Sequence, residues 1–339
     1  MRTSIIPLAR KRLLILLTAL VAVGALALNG AGSAPAFPPT PKQEVINYLN
    51  SISGSNIVSG QHNKEPASQP SQYTQQVHDV TGQYPGLWGG DLMFRAEDIA
   101  NRQSVIDQAI TEWNNGSLVA LTWHACPPTG GASCEFEGGV KSNISDAQFN
   151  ELVTEGSGLH REWLNRLDAV APYLQQLKDA GVPVLFRPFH EMNESWNWWG
   201  NRPGQGGSSR LFQITHDYLV DNHGLDNLIW VWNIQDNPAG GWDAYYPGDA
   251  YVEVVSLDVW YKGLPSNGDY QQIRSLAGDR PFAIAEMGKV PSPSMLDAQP
   301  EWSYFMVWSE QLRGDNTNEE IQAAYFHPRT LNQGEVQLP

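Results

Sequence analysis

The chain has 339 residues, a formal net charge of −15, 13 tryptophans and two cysteines. This length suits one α/β barrel of about 250 residues with flanking segments. So acidic a protein is a poor partner for nucleic acid and for anionic membranes, and we expect it to bind neither. The abundance of tryptophan indicates that some flat aromatic side chains form a binding surface.

The first part of the chain has the composition of a targeting segment. Basic residues at 10–12 precede an apolar run at 13–28, and small residues follow it. This order is typical of a secretory signal peptide, and the run is shorter than the roughly 20 residues that a membrane-spanning helix needs. We therefore predict a signal peptide over residues 1–36, a catalytic domain over 37–339, and a secreted, extracellular protein.

From residue 57 onward, short apolar runs alternate with helical patterns, which indicates βα units. The predicted strands are 56–60, 85–91, 117–125, 182–191, 227–233, 252–260, 280–288 and 302–309. Helical patterns lie near 70–80, 104–114 and 146–180, and the tail resembles a last barrel helix with a packed extension. Eight parallel strands with connecting helices predict a single-domain (β/α)8 TIM barrel, in which function resides at the C-terminal strand ends.

The two cysteines, Cys126 and Cys134, lie in a loop rich in proline and glycine after the third predicted strand. Their spacing lacks the short Cys-x-x-Cys form of many metal sites. An exported protein meets oxidising conditions, which favour disulfides. We therefore predict that a disulfide pins this loop.

Each predicted strand ends in a side chain capable of chemistry or binding. These residues are His62, Asp91, His124, Arg187 with His190 and Glu191, Asn233, Asp258, Glu286 and Trp308. A chance distribution would scatter such residues over both ends of the barrel. The pattern therefore predicts one functional site at the C-terminal rim.

Two glutamates of this rim suggest a reaction. Glu191 follows the apolar run VPVLF and Glu286 ends the run FAIAE, on strands that face one another across a barrel mouth. Two carboxylates in one cleft suffice for glycoside hydrolysis, because one protonates the leaving oxygen while the other attacks or activates water. A glutamate desolvated beside tryptophans suits the acid, and one paired with an arginine suits the nucleophile. The alternative for either is a structural ion pair with an arginine such as Arg187.

Aromatic residues near the strand ends indicate the class of substrate. The candidates are Trp123, Trp196, Trp198, Trp199, Trp260 and Trp308. A flat ring can stack on the apolar face of a pyranose. Core packing is the alternative for each ring, but a cluster beside two carboxylates favours a sugar.

Other chemistries fit the sequence less well. A zinc-protease helix needs a second histidine four residues after His190, and a glutamate stands there. The chain has no phosphate-binding loop, serine elbow or dinucleotide-binding turn. A metal held by His62, Asp91 and His124 is an alternative, although these groups also bind hydroxyls. We expect no metal and no cofactor.

The segment RPFHEMNESWNWWG (187–200) resembles the fourth-strand motif of glycoside hydrolase family 26, the clan A barrels that include secreted endo-β-1,4-mannanases. Supporting segments are PGLWGGD, LTWHACPP, FAIAEMG, YFMVW and YFHPRTLNQGEV. The resemblance implies that Glu191 is the acid/base and Glu286 the nucleophile. It also implies that His190 lies near the nucleophile and that His124 and Trp308 contact the sugar at the cleavage point.

We therefore expect a retaining endo-β-1,4-mannanase that acts as a monomer on β-mannan. Further candidate substrate contacts are Arg187, Asp91, Asn193, Trp196, Asp258, Trp260 and Tyr261. Alternatives are a β-1,3-xylanase or mixed-linkage glucanase on the same fold, a barrel that binds polysaccharide without cutting it, and a metal-dependent hydrolase.

One position departs from the family pattern. The family usually carries Asp-x-Tyr at the sixth strand, whereas this chain has Asp258, Val259, Trp260 and Tyr261 in succession. Either Tyr261 replaces the usual tyrosine through a local shift, or the contacts at the cleavage point differ. This departure bears on which sugar is bound at the cleavage point.

Overall fold

A computed structural model describes Met1 and residues 38–338 of the chain. Apart from Met1, the predicted signal peptide over residues 1–36 lies outside the described residues. Within 38–338, no helix combines the length and the apolar character that crossing a bilayer requires.

Eight parallel strands close into a barrel in chain order, and the last pairs with the first. They are β1 (Ile57–His62), β2 (Leu87–Asp91), β3 (Leu118–Thr122), β4 (Val184–Arg187), β5 (Leu228–Gln235), β6 (Val254–Val259), β7 (Phe282–Met287) and β8 (Tyr304–Val307). The predicted (β/α)8 barrel is therefore confirmed. An unpredicted ninth strand, β9 (Thr330–Leu331), pairs with the start of β1.

The helices cover the outside of the barrel and its lower end. They are α1 (Pro41–Ser51), α2 (Gln72–Thr81), α3 (Ala96–Ala100), α4 (Arg102–Asn114), α5 (Asp146–Leu152), α6 (Gly158–Asp179), α7 (Ser208–Asp217), α8 (Asn267–Ala277), α9 (Pro293–Ala298), α10 (Gln311–Gly314) and α11 (Asn318–Tyr325). The prediction of one helix over 146–180 is wrong. Gly156 adopts a left-handed φ of 74°, and the Ser157 side chain caps the start of α6, so two helices form.

Apolar side chains near the start of all eight strands fill the lower barrel. They are Val58, Leu87, Leu118, Leu185, Ile229, Val254, Ala283 and Tyr304, and Val45, Tyr48 and Leu49 of α1 join the same cluster. Helix α1 therefore covers the N-terminal end of the barrel, and the opposite end stays free for a site.

Strict alternation places most rim residues inside the barrel. On β4, Leu185 belongs to the interior cluster and Phe186 to the outer one, so Arg187 faces inward. The same two-residue alternation places the side chains of Asn233 and Asp258 inside the barrel. The predicted strand over 182–191 ends early, at Arg187, so Glu191 belongs to a loop.

Strand β7 breaks the alternation with a bulge. Its ladder with β6 advances from Ile284 directly to Glu286, which pairs with Asp258, so Ala285 has no partner. Ala285 belongs to the interior cluster and Met287 to the outer one. The extra residue lets Glu286 face the barrel mouth, where simple alternation would turn it toward the helices.

Gly60 of β1 pairs with Met306 of β8. A Cβ at Gly60 would lie 2.5 Å from the backbone oxygen of Phe305, which a side-chain rotation cannot relieve. We expect Gly60→Ala to lower the free energy of unfolding by about 1–3 kcal/mol. Gly206→Ala is the matched control, because Gly206 is exposed and has no atom within 4 Å of an added Cβ. Equal urea midpoints for the two variants would contradict this prediction.

Candidate active site

Arg187 forms the centre of the rim. Its Nη1 donates to the Asp258 carboxylate at 2.7 Å, and its Nη2 donates to the Glu286 carboxylate and to the Thr122 hydroxyl at 3.2 Å. All four residues are buried. Burial opposes the charged guanidinium, yet the two carboxylates hold the pKa of Arg187 above its ordinary value. The arginine therefore keeps Glu286 beside a permanent positive charge.

Glu191 lies four residues beyond β4 in a strained conformation. Its φ is 50°, a left-handed value that is uncommon for residues other than glycine and often marks functional sites. The Asn233 side chain accepts the Glu191 backbone N–H at 2.7 Å, and the Asn197 side chain donates to the Glu191 carbonyl at 3.4 Å. The surrounding loop therefore holds Glu191 in this conformation.

The Glu191 carboxylate faces the other two acids across the barrel mouth. One oxygen each of Glu191, Asp258 and Glu286 lie within 4.8 Å of one another. The Trp196 indole N–H donates to Glu191. Burial raises the pKa of Glu191 well above its ordinary value, and the charges of Asp258 and Glu286 add to the effect. Glu191 therefore tends to retain its proton near neutral pH.

The three carboxylates differ in their hydrogen bonds to the guanidinium. Three acids face the single guanidinium of Arg187, so full ionisation would leave two uncompensated negative charges. Asp258 accepts from Arg187 and from Asn233, the latter at 2.7 Å, and Glu286 accepts from Arg187. Among the hydrogen bonds of the described chain, Glu191 makes none with the guanidinium. Burial raises the pKa of Glu191 well above its ordinary value, and burial also raises the pKa of Asp258.

In the described part of the chain, these same three carboxylates form the group of side chains that could bind a divalent cation. Arg187 donates to two of them, and its guanidinium supplies the positive charge that a metal would bring.

His124 and Asp91 form a second buried pair. Asp91 accepts from His124 Nδ1 and from the Met93 backbone N–H at 2.7 Å. Burial opposes the charged imidazole, but the Asp91 carboxylate leaves the pKa of His124 above its ordinary value. Asp91 therefore positions His124, and its own oxygens are engaged within the protein.

His190 and His62 are neutral histidines of the same cluster. His190 packs edge-on against His124, with ring centroids 4.4 Å apart. Burial, His124 and Arg187 hold the pKa of His190 well below its ordinary value. No hydrogen bond joins His190 to Glu286 in the described structure. His62, which the sequence suggested as an alternative metal ligand or a hydroxyl-binding group, has a pKa lowered to about 3, mainly by burial.

The rim tryptophans divide into two groups. Trp123, Trp198 and Trp199 are buried, so these three rings pack in the core. Trp198 and Trp199 donate their indole N–H groups to the Ala125 and His190 carbonyls, both at 2.8 Å, and thereby hold the loop that carries Glu191.

Trp196, Trp260 and Trp308 keep part of their surface open to solvent. His62 stacks on Trp308 at a centroid distance of 4.1 Å and an interplanar angle of 14°. Trp260 lies edge-on to Trp308 at 6.5 Å. These three rings are the rim tryptophans that a sugar can reach.

Two residues that were predicted to contact the substrate have different neighbours in the structure. The Asn193 side chain donates to the Gln235 carbonyl at 2.9 Å and accepts the Gln235 N–H at 2.8 Å, so it ties the Glu191 loop to β5. Tyr261 is 65% exposed, while Trp260 packs toward Gly288. Trp260 therefore lies near β7. Tyr261 does not replace the usual tyrosine there through a local shift.

A recess opens on one side of the carboxylates. It is lined by Lys64, Glu65, Asp91, Phe94, Arg95, His124, Phe136, Trp308 and Glu310. Ion pairs close its rim, with Lys64 2.6 Å from Glu310 and Arg95 3.2 Å from Glu65. The recess therefore combines an aromatic lining with a polar edge.

The disulfide loop supplies one wall of this recess. Cys126 and Cys134 are bonded to each other. Two residues later, Phe136 packs against Trp196 and Phe94, with centroids 5.7 and 6.1 Å away. Sequence reasoning missed Phe136, and no local pattern marks it, because the disulfide loop brings it to the rim.

The electrostatic coupling of the two glutamates can be measured directly. We expect Glu286→Gln to lower the pKa of Glu191, because the substitution removes a nearby negative charge that disfavours ionisation of Glu191. Carbon-13 NMR titration of glutamate side-chain carboxyls measures this. Glu155→Gln, at an exposed position, is the control and should leave the Glu191 titration unchanged. An unchanged Glu191 titration in Glu286→Gln would contradict the coupling.

Solved structures with this barrel include GH26A from Muricauda sp. MAR_2010_75, which is 34% identical with a TM-score of 0.83 over 88% of this chain and 97% of that one. A β-mannanase from a symbiotic protist of the termite Reticulitermes speratus, solved with a gluco-manno-oligosaccharide, is 25% identical with a TM-score of 0.76, covering 89% and 96% of the two chains.

The chain is also similar to two proteins named mannan endo-1,4-β-mannosidase. The one from Thermothelomyces thermophilus is 32% identical over 86% of this chain, which spans 61% of that relative's length. The one from Bacillus subtilis is 31% identical over 77% of this chain and 75% of its own. The model of glycosyl hydrolase family 26 matches residues 37–335. The chain therefore belongs to glycosyl hydrolase family 26 and is a glycoside hydrolase.

Proposed function

We propose that this protein is a retaining endo-β-1,4-mannanase. The observation that carries the proposal is the pair Glu191 and Glu286, whose oxygens approach within 4.8 Å and of which Glu286 pairs with Arg187, while burial raises the pKa of Glu191. Retaining glycosidases place their two carboxyl groups about 5–5.5 Å apart, whereas inverting enzymes leave more room for a water. The mannanase names of the relatives support the choice of sugar.

In the first step, a Glu286 carboxylate oxygen attacks the anomeric carbon and the glycosidic C–O bond breaks. Glu191 transfers its proton to the departing oxygen, and a glycosyl ester of Glu286 remains. In the second step, Glu191 takes a proton from water, the water oxygen bonds to the anomeric carbon, and Glu286 leaves. Arg187 donates to the Glu286 carboxylate and Trp196 donates to the Glu191 carboxylate, so both groups are held in place.

The remaining rim groups bind the sugar or hold the groups that do. We propose that His124, His190 and Trp308 contact the sugar at the cleavage point, with Trp196 and Trp260 beside it. Arg187, Asp91, Asp258 and Asn193 make their hydrogen bonds within the protein. We assign these four to positioning, in place of the predicted substrate contacts.

The remaining expectations also belong to this proposal. The basic and apolar pattern of residues 1–36 supports a signal peptide and an extracellular protein. We propose that residues 37–339 act as a monomer without a cofactor. Because Arg187 already pairs with two of the three clustered carboxylates, a chelator should leave the rate unchanged, unlike that of a metal-dependent hydrolase.

The first test is release of reducing sugar from linear β-1,4-mannan, β-1,3-xylan and mixed-linkage β-glucan. We expect release from mannan. Glu286→Ala should lower it by about 10⁴-fold or more, because the variant lacks the nucleophile. Glu155→Ala is the control and should retain activity. Release from another polymer alone would overturn the choice of mannan, and polymer binding without turnover would support the non-catalytic alternative.

A second test addresses stereochemistry. Proton NMR of an early mannohexaose digest should show the β-anomer of the new reducing end first, with the α-anomer arising later by mutarotation, because two displacements restore the configuration. Glu191→Ala should slow this reaction by about 10²–10⁴-fold, the usual contribution of a general acid. Initial formation of the α-anomer would show inversion and would rule out Glu286 as a nucleophile.

A further inference from the structure

The loop after β6 is fixed to β5 by one buried carboxylate. Asp236 accepts the backbone N–H groups of three successive residues, Trp260 and Tyr261 at 3.3 Å each and Lys262 at 3.0 Å. The Asp236 N–H in turn donates to the Asp258 carbonyl at 2.9 Å. Asp236 is fully buried, so the conformation of the β6 loop is set before any ligand arrives.

This loop presents an aromatic ring to solvent. Tyr261 is 65% exposed, and in the described chain the other large aromatic side chain that is mostly exposed is Phe326, at 54%. Tyr261 thus offers a flat apolar face on a backbone that is already ordered. A preordered backbone lowers the entropy cost of binding, and one face of a pyranose is apolar enough to stack on such a ring.

Tyr261 directly follows Trp260, whose ring contacts the rim. Its neighbour Trp260 lies edge-on to Trp308, at 6.5 Å, and an added Cβ at Gly288 would lie 3.4 Å from the Trp260 ring. Gly288 follows the nucleophile Glu286 by two residues. The β6 loop therefore borders the catalytic cleft.

The fold indicates which side of the catalytic cleft the β6 loop borders. The acid Glu191 protonates the leaving oxygen, so the leaving sugar departs along the wall that carries Glu191. That wall is tied to β5 through Asn233 and through Gln235, and Asp236 follows Gln235 directly. The recess with Asp91 and Phe136 is formed by the loops after β1, β2, β3 and β8, and takes the other part of the substrate.

We infer that Tyr261 is a stacking platform for a mannose ring on the leaving-group side of the cleaved bond, and that Asp236 is the positioning residue that fixes it. This inference rests on the proposed function and adds a subsite beyond the residues of the chemical steps.

The test compares two substrates. Mannohexaose fills sites on both sides of the cleavage point, whereas 2,4-dinitrophenyl β-mannobioside places no sugar on the leaving-group side. We expect Tyr261→Ala to lower kcat/KM for mannohexaose about 3- to 10-fold, the usual effect of one aromatic stacking contact, and to leave the aryl substrate unchanged. Tyr261→Phe should retain both rates, because the ring remains. Asp236→Asn should act in the same direction as Tyr261→Ala.

Phe326→Ala is the matched control, since Phe326 is an exposed aromatic at the end of α11; neither rate should change. An unchanged rate for mannohexaose in Tyr261→Ala would overturn the inference, as would an equal loss on the aryl substrate. Failure of the wild-type protein to cleave mannohexaose would instead overturn the proposed function. The comparison would then use the oligosaccharide of the polymer that is cleaved.

Discussion

The site depends on the ion pairs of Arg187 with Asp258 and Glu286. Burying three carboxylates together is costly unless positive charge or a proton compensates them. Arg187 donates to two of them but supplies a single positive charge, and burial raises the pKa of the third, Glu191, well above its ordinary value. The proposed division of labour between an acid, Glu191, and a nucleophile, Glu286, depends on this arrangement.

Asn233 connects the carboxylate cluster to the backbone. One side-chain amide accepts the N–H of the strained Glu191 and donates to Asp258. The acid and the arginine's partner are therefore held by a single residue of β5. Around them, the buried tryptophans Trp198 and Trp199 bond to backbone carbonyls, which explains why so many aromatic residues follow β4. Only Trp196 of that stretch faces the cleft.

Much of the fold was predictable because its signals are local. Apolar runs of strand length alternate with helical patterns, and the two-residue period of a strand turns Arg187, Asn233 and Asp258 inward. The predicted boundaries of helices and strands were less accurate where a local turn interrupts a regular apolar pattern. A left-handed Gly156 and the Ser157 cap divide one apparent helix into two. The strand β9 is only two residues long, too short to leave a periodic signal.

The sequence by itself determined the barrel, the rim and the two glutamates, because each depends on residue type and short-range spacing. Only the tertiary structure decided how the glutamates point. The bulge at Ala285 turns Glu286 into the mouth, and the left-handed backbone at Glu191 is held by Asn233, 42 residues away in sequence. Burial also separated core rings from cleft rings and left Tyr261 exposed. These features depend on contacts between strands and loops that lie far apart in the chain, which no local pattern encodes.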